Sequence, residues 1–254
     1  MKKYFFVFVS MVMAMAMTAC LGDPEYHHTG TFARLVTIDR TQAQPKFVCD
    51  YTGEVYTCSN VKSNEDLASY GLKEAERAFV YFDFESTYEA STVSLNSGTV
   101  ITPASVSGVA LPKDVEYSPV YGFERLELEP GWSYPYAWVS GHYLSIMPVT
   151  MSDDAPSQYL LPKYVSNDTL YFSLYMSYEK STSYRSEYIC YDLRSLMDTI
   201  HADETCKPVL SSMLKALDEG RKQVSLCVMA DYVSADTIIK AYAPTDKCYI
   251  RLGE

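Results

Sequence analysis

The chain has 254 residues, of which 48% are apolar and 21% charged, and this composition excludes wholesale disorder. The length leaves room for one large or two small domains. A formal charge of −11 argues against a nucleic-acid partner, because phosphate binding needs clustered Lys and Arg.

Lys2 and Lys3 open the chain, and Tyr4 to Met17 then carry no charge and are almost wholly apolar. As a helix that run is roughly 21 Å long, short of the ~30 Å bilayer core, so it reads as an export signal and not as a membrane span. Met17-Thr18-Ala19-Cys20 follows, with small residues before a cysteine. This resembles the lipobox of bacterial lipoproteins, which implies a signal peptide over 1–19 and acyl chains on Cys20 as the mature N-terminus. Several acyl chains anchor a protein firmly where one does not. Removing Lys2 and Lys3 takes the charge from −11 to −13. Residues 20–30 lack periodicity and read as a flexible tether. His27 and His28 fall on it, as solvated residues.

Strands are expected next at 31–38, 46–51 and 54–58, a short helical turn over Asn64–Tyr70, and strands at 76–85 and 91–95. Pro103, Gly108, Pro112 and Pro119 then interrupt the pattern. The domain boundary is placed there, giving one domain over 31–111 and another over 112–254. In the second, Trp132, Tyr134, Tyr136 and Trp138 recur at period two on one face of an extended segment. Exposed, they form a stacking platform for a sugar or peptide; buried, they belong to the core. Strands follow at 142–149, 169–178, 187–193, 223–230, 237–243 and 247–252. Segment 169–178 alternates cleanly, with Leu170, Phe172, Leu174 and Met176 against Tyr171, Ser173, Tyr175 and Ser177. One helix is expected, capped by Thr205 and carrying Leu210, Met213, Leu214 and Leu217 as its apolar stripe. So many short strands between turns suggest a barrel or a sandwich.

Six cysteines remain besides Cys20, at 49, 58, 190, 206, 227 and 248, and none forms Cys-x-x-Cys. An even number in an exported chain permits disulfides, with Cys49–Cys58 and Cys227–Cys248 as the pairs on neighbouring strands, or else small buried thiols. No nucleophile elbow, zinc-protease helix, dinucleotide fingerprint or P-loop occurs. His142 has no acidic neighbour in sequence, and the Asp153-Asp154 loop lacks the glycine of calcium loops. The chain therefore reads as non-enzymatic, with no cofactor and no metal.

The ordered set Glu76–Phe84, Val100-Ile101-Thr102-Pro103, Trp138–Val149, Tyr171–Met176 and Tyr191-Asp192-Leu193, after a lipobox, resembles the NigD-like lipoproteins of the Bacteroidota cell envelope. The likeness spans nearly the whole mature chain. It implies a mainly β fold: a small OB-like β-barrel followed by a β-sandwich, with the Thr205–Leu217 helix as an insertion. It carries no catalytic motif. It implies a lipid-anchored envelope protein, at the outer membrane; the leading expectation for its role is that it binds a protein or glycan partner. The alternatives are a bacteriocin-immunity lipoprotein and, third, a glycan-active hydrolase. Asp-Thr-aliphatic recurs at Thr169, Thr199 and Thr237 and resembles the O-glycosylation acceptor of Bacteroidota envelopes; the same residues also suit turns that open strands.

Overall fold

The structure is a computed structural model, and it describes residues 27–50, 52–87, 90–106, 111–129, 132–167, 169–194, 207, 211, 215, 223–234, 237–242 and 248–251. The fold is mainly β, as expected.

The first half comprises β1 (His27–Asp39), β2 (Lys46–Cys49), β3 (Val55–Tyr56), a 3-10 helix (Asp66–Tyr70), β4 (Arg77–Thr87) and β5 (Ser91–Ile101). They form one antiparallel sheet in the order β3-β2-β1-β4-β5. Its two edges approach each other beyond β3. Ser59 N–H donates to Val93 O at 2.7 Å, and the Asn60 side chain bonds both the N–H and the C=O of Leu95 (2.9 and 2.8 Å). Alternation along β1 sends Val36 and Ile38 to the inner face and Leu35 to the outer one. Val36, Phe47, Val61, Leu67, Leu72, Val80 and Phe82 are fully buried inside, each contributing roughly 1.5–3 kcal/mol of burial. The 3-10 helix holds Leu67 against this core. Its start is fixed by Asp66, whose carboxylate accepts from the Lys62 and Ser63 N–H groups, and its end by Gly71 at φ +70°.

The second half comprises β6 (Ala104–Ser105), β7 (Gly122–Phe123), β8 (Glu127–Glu129), β9 (Trp132–Ser133), β10 (Ala137–Ser140), β11 (Tyr143–Ile146), β12 (Pro148–Thr150), β13 (Ser157–Ser166), β14 (Thr169–Ser177), β15 (Arg185–Ser186), β16 (Ile189–Asp192), β17 (Gln223–Ser234), β18 (Thr237–Tyr242) and β19 (Cys248–Arg251). The larger sheets run β10-β11-β16-β6 and β13-β14-β17-β18, with β19 also on β17. One core is fed by both: Leu144, Ile146, Ile189 and Tyr191 from the first, Leu160, Phe172, Leu174 and Val228 from the second. The alternation expected for 169–178 holds, since Leu170, Phe172, Leu174 and Met176 all enter this core.

Several expectations are corrected. β1 begins at His27, so His27–Gly30 pair with Thr87–Phe84 and are strand, not tether. β5 continues to Ile101, beyond the expected 91–95; a bulge absorbs Asn96, Leu95 facing Phe82 and Ser97 facing Tyr81. β13 was not anticipated because Pro162 lies inside it. It sits at the end of its sheet, and its register shifts between Pro162 and Tyr164. Cys49, Cys58, Cys190 and Cys227 are free thiols. Cys49 lies toward Tyr134 while Cys58 belongs to the inner core, and the register sets Cys248 opposite Leu226, not Cys227. Of the expected helix, Lys207, Ser211 and Lys215 are helical and exposed; its other residues lie outside the described ones. The signal segment and Cys20 also lie outside them. Among the described residues no helix is long and apolar enough to cross a membrane.

Candidate functional site

Inner-face positions of β1 and β4 carry aromatics from the core out to the surface. Phe82 is fully buried and contacts Phe47 (5.5 Å), Tyr56 (5.3 Å) and Phe32 (5.2 Å). Half-buried Phe32 meets Phe84 at 6.1 Å, and Phe84 meets exposed His28 at 5.4 Å. Phe84 reaches across β1 because residue 30 is glycine: a Cβ there would stand 2.4 Å from its Cε1. The Arg34 guanidinium lies 4.8 Å over the Phe32 ring, and the Tyr56 hydroxyl donates to Glu54 at 2.8 Å. Burial, with help from Glu54, pushes the Tyr56 phenol up to about 12. Half-buried rings with π faces and one stacked cation suit the stacking of planar or sugar-like groups.

Beside this ladder runs a groove of about 350 Å³, lined by Thr29, Thr31, Asp83, Phe84, Glu85 and Thr92 among others. Its carboxylates are engaged. Asp83 accepts from Thr31 and Asn96, each at 2.8 Å, and Glu85 lies 2.6 Å from His27 Nε2.

The strongest electrostatics lie elsewhere, on the outer face of the first sheet where the second half packs. Arg77 and Asp50 form a fully buried ion pair. The Trp138 indole donates to Asp50 at 3.2 Å, Thr37 accepts from Arg77 at 3.1 Å, and the Tyr143 ring lies 4.6 Å from the guanidinium. Burial pulls the Arg77 pKa down, but the charge of Asp50 more than offsets it, so the group is held protonated. At the rim, Glu76 accepts from the Tyr143 hydroxyl and from Arg194 (2.7 Å), and Arg194 also bonds Asp192 at 2.6 Å. Leu35, Phe79 and Ile101 from the first half meet Tyr134, Trp138, Leu126, Leu128 and Tyr188 from the second. These charges hold the halves together and present no nucleophile–base pair. Among the described residues no cluster of His, Cys, Asp and Glu is placed to hold a metal.

Of the two alternatives for the aromatic segment, Tyr134 and Trp138 take the buried one. The segment breaks into β9 and β10, Tyr134 and Trp138 are buried at 0% and 3% exposure, and they stack at 4.8 Å. The Tyr134 hydroxyl accepts from the Leu35 N–H at 3.3 Å. Tyr136 is half-exposed under Arg125, whose guanidinium is 4.7 Å from the ring, on a shallow groove with Phe123 and Met147. Trp132 lies in β9. Thr169 opens β14, half-buried, its hydroxyl toward Asn167 O at 3.4 Å. Thr237 opens β18, and Thr199 lies outside the described residues. Sequence reasoning missed Arg77 and Asp50, which lie 27 positions apart, one opening β4 and the other in the turn after β2. It also passed over Phe32, Tyr56 and Phe84, although Phe82-x-Phe84 in the Glu76–Phe84 strand carried the period-two signal.

Two packed β cores, with a buried ion pair of the first hydrogen-bonded to Trp138 and Tyr188 of the second, define a mainly β, two-part fold. That fold is shared with solved structures along nearly their whole length. A putative lipoprotein from Bacteroides fragilis aligns with a TM-score of 0.53 at 12% identity, over 89% of this chain and 99% of that one. A NigD-like immunity protein from Bacteroides caccae aligns with a TM-score of 0.50 at 12% identity, over 90% of this chain and all (100%) of that one. The fold is thus that of the NigD-like lipoproteins, as the ordered strand motifs led us to expect. No family model matches the chain, and no curated protein matches it.

Proposed function

We propose that this chain is a non-enzymatic lipoprotein of the bacterial cell envelope, held at the outer membrane by acyl chains on Cys20, that works by binding a partner. The observation that carries the reading is the fold shared with a NigD-like immunity protein over 90% of the chain, coupled to the lipobox-like run before Cys20. That neighbour favours the immunity form, in which the bound partner is a toxin intercepted near the membrane. We read the first half as an OB-like barrel. The support is its strand order, with the helical turn between β3 and β4, and the Ser59–Val93 and Asn60–Leu95 contacts, which run in the same sense across the gap. We read the second half as a β-sandwich, supported by one core fed from two sheets. Within this reading the Phe32, Tyr56, Phe84 and Arg34 ladder is the docking surface, in place of the buried Trp138 and Tyr134. Thr169, Thr199 and Thr237 remain the proposed acceptors of O-linked glycan.

The test has two arms. Radiolabelled palmitate should enter the wild type and not Cys20→Ala, and the variant should leave the membrane fraction. Cross-linking in intact cells should then capture a protein or glycan that Phe84→Ala and Tyr56→Ala lose together, and a deletion strain should gain toxin sensitivity. Recovery of no partner, with unchanged sensitivity, would overturn the binding reading.

A further inference from the structure

The sheet of the first half has two different ends, and the chain leaves from one of them. β1 starts at His27, which lies opposite Thr87 of β4, and the β4–β5 hairpin turns at that same end, where Thr87 N–H donates to Ala90 O. The second half is attached at the other end. Its contacts are with Leu35, with Arg77 and Phe79 at the start of β4, and with Ile101, the last residue of β5. From His27 to Leu35 the strand rises about 27 Å, and from His27 to Asp39 about 40 Å.

Cys20 is seven residues before His27. Seven residues fully extended span at most about 25 Å. Resting on the anchoring reading above, we propose that the end of the sheet formed by the start of β1 and the β4–β5 hairpin faces the lipid surface at headgroup range, with the second half standing off from the membrane at the opposite end. The tether is shorter than the strand is long, so the sheet's far end does not exchange places with the near one. The chemistry of the near end fits a layer of polar headgroups. Thr29, Thr31, Thr87, Ser91 and Thr92 are exposed there and offer hydroxyls. The described carboxylates at this end are held in hydrogen bonds, Glu85 against His27 and Asp83 by Thr31 and Asn96. The aromatic ladder, ending at Phe84 and His28, opens at this end as well, so a partner docking there is met at the membrane surface.

The experiment uses the full lipidated protein in native membranes, with a photo-crosslinking amino acid at Thr92 or, as the comparison, at Gln42, which is exposed in the turn beyond the far end of β1. The expected result is lipid adducts at Thr92 and loss of them at Gln42. Inserting about twenty Gly/Ser residues after Asp23, a linker with an r.m.s. span of roughly 25 Å, should lose the Thr92 adducts while leaving the protein in the membrane fraction. Equal labelling at both positions, no lipid labelling at Thr92, or labelling unchanged by the longer tether would overturn the orientation. Failure of the anchor is seen separately, as Cys20→Ala remaining membrane-bound.

Discussion

Arg77 and Asp50 face each other with water excluded from both side chains: Nη1 lies 3.0 Å from Oδ1, Nη2 lies 2.5 Å from Oδ2, and each side chain is 0% exposed. The pair and Thr37, which also accepts from Arg77, come from the first half of the chain, yet Trp138, Tyr143 and Tyr188, which complete the surroundings, come from the second. Desolvating two charges is costly, and the cost is recovered only with good geometry and further hydrogen bonds. Here the second half supplies them.

Asp50→Ala should therefore strand a buried guanidinium and cost about 3–5 kcal/mol. Replacing both charges, as Asp50→Leu with Arg77→Met, should recover most of that loss, since an apolar pair of similar volume needs no partner. Urea denaturation of the two variants and the wild type measures the difference. A double variant as unstable as Asp50→Ala would contradict the account.

Stability should fall with acid in two stages. Burial, and then the positive charge of Arg194, hold the His142 imidazole below its ordinary 6.5. A base whose pKa drops on folding stabilises the fold above the unfolded value and loses that contribution as the pH falls from there through the lowered folded value. Glu76 is held below its ordinary 4.5 by the Tyr143 hydroxyl and then by Arg194. Burial pushes Asp192 up, but hydrogen bonds from Arg194 bring it below 3.8. Both carboxylates therefore stabilise above their ordinary values and lose that contribution as the pH falls through the lowered ones. Melting temperature followed from pH 7 downward should first decline below about 6.5 and again below about 4.5. His142→Asn should remove the first decline and Glu76→Gln reduce the second. Because the Glu76–Arg194 pair is more than half exposed, Arg194→Ala should cost under about 1 kcal/mol.

Cys58 should be inert in the folded protein. It is wholly buried, and burial pushes its thiol up to about 12, so almost no thiolate exists at neutral pH. Iodoacetamide should leave Cys58 unmodified until denaturant is added, while half-buried Cys227 reacts sooner. Peptide mass spectrometry reads both.

Intact mass of protein purified from its own envelope should exceed that of the chain from Cys20 onward by the acyl modification and by glycan. Threonine-to-valine variants at Thr169, Thr199 and Thr237 should each remove one glycan increment at occupied sites. A mass with the lipid increment alone would end the glycosylation proposal.

What the sequence revealed and what it hid follow a physical division. Local periodicity exposed the strands: the alternation of Leu170, Phe172, Leu174 and Met176 is written in adjacent residues, and so is the helical turn that ends at Gly71. Relations across the chain left no local trace. Asp50 and Arg77 are ordinary charges until the β1–β4 register brings Arg77 opposite Thr37 and the β2 turn delivers Asp50 beside it. Period two placed Tyr134 and Trp138 on one face, and they do stack, but the break between β9 and β10 turned them inward against Leu35. The strand over 91–95 proved longer and the one through Pro162 went unseen, because a bulge at Asn96 and a register shift after Pro162 let pairing run on past residues that interrupt a local pattern.

The irregularity at Pro162 bears on crowding. Proteins concentrated on a two-dimensional surface collide far more often than in free solution, and an unpaired strand edge invites neighbours to add strands without limit. β13 is the outer strand of its sheet, and there proline removes one amide donor while the shifted register spoils the spacing of the next. That edge is poorly suited to templating a fibre.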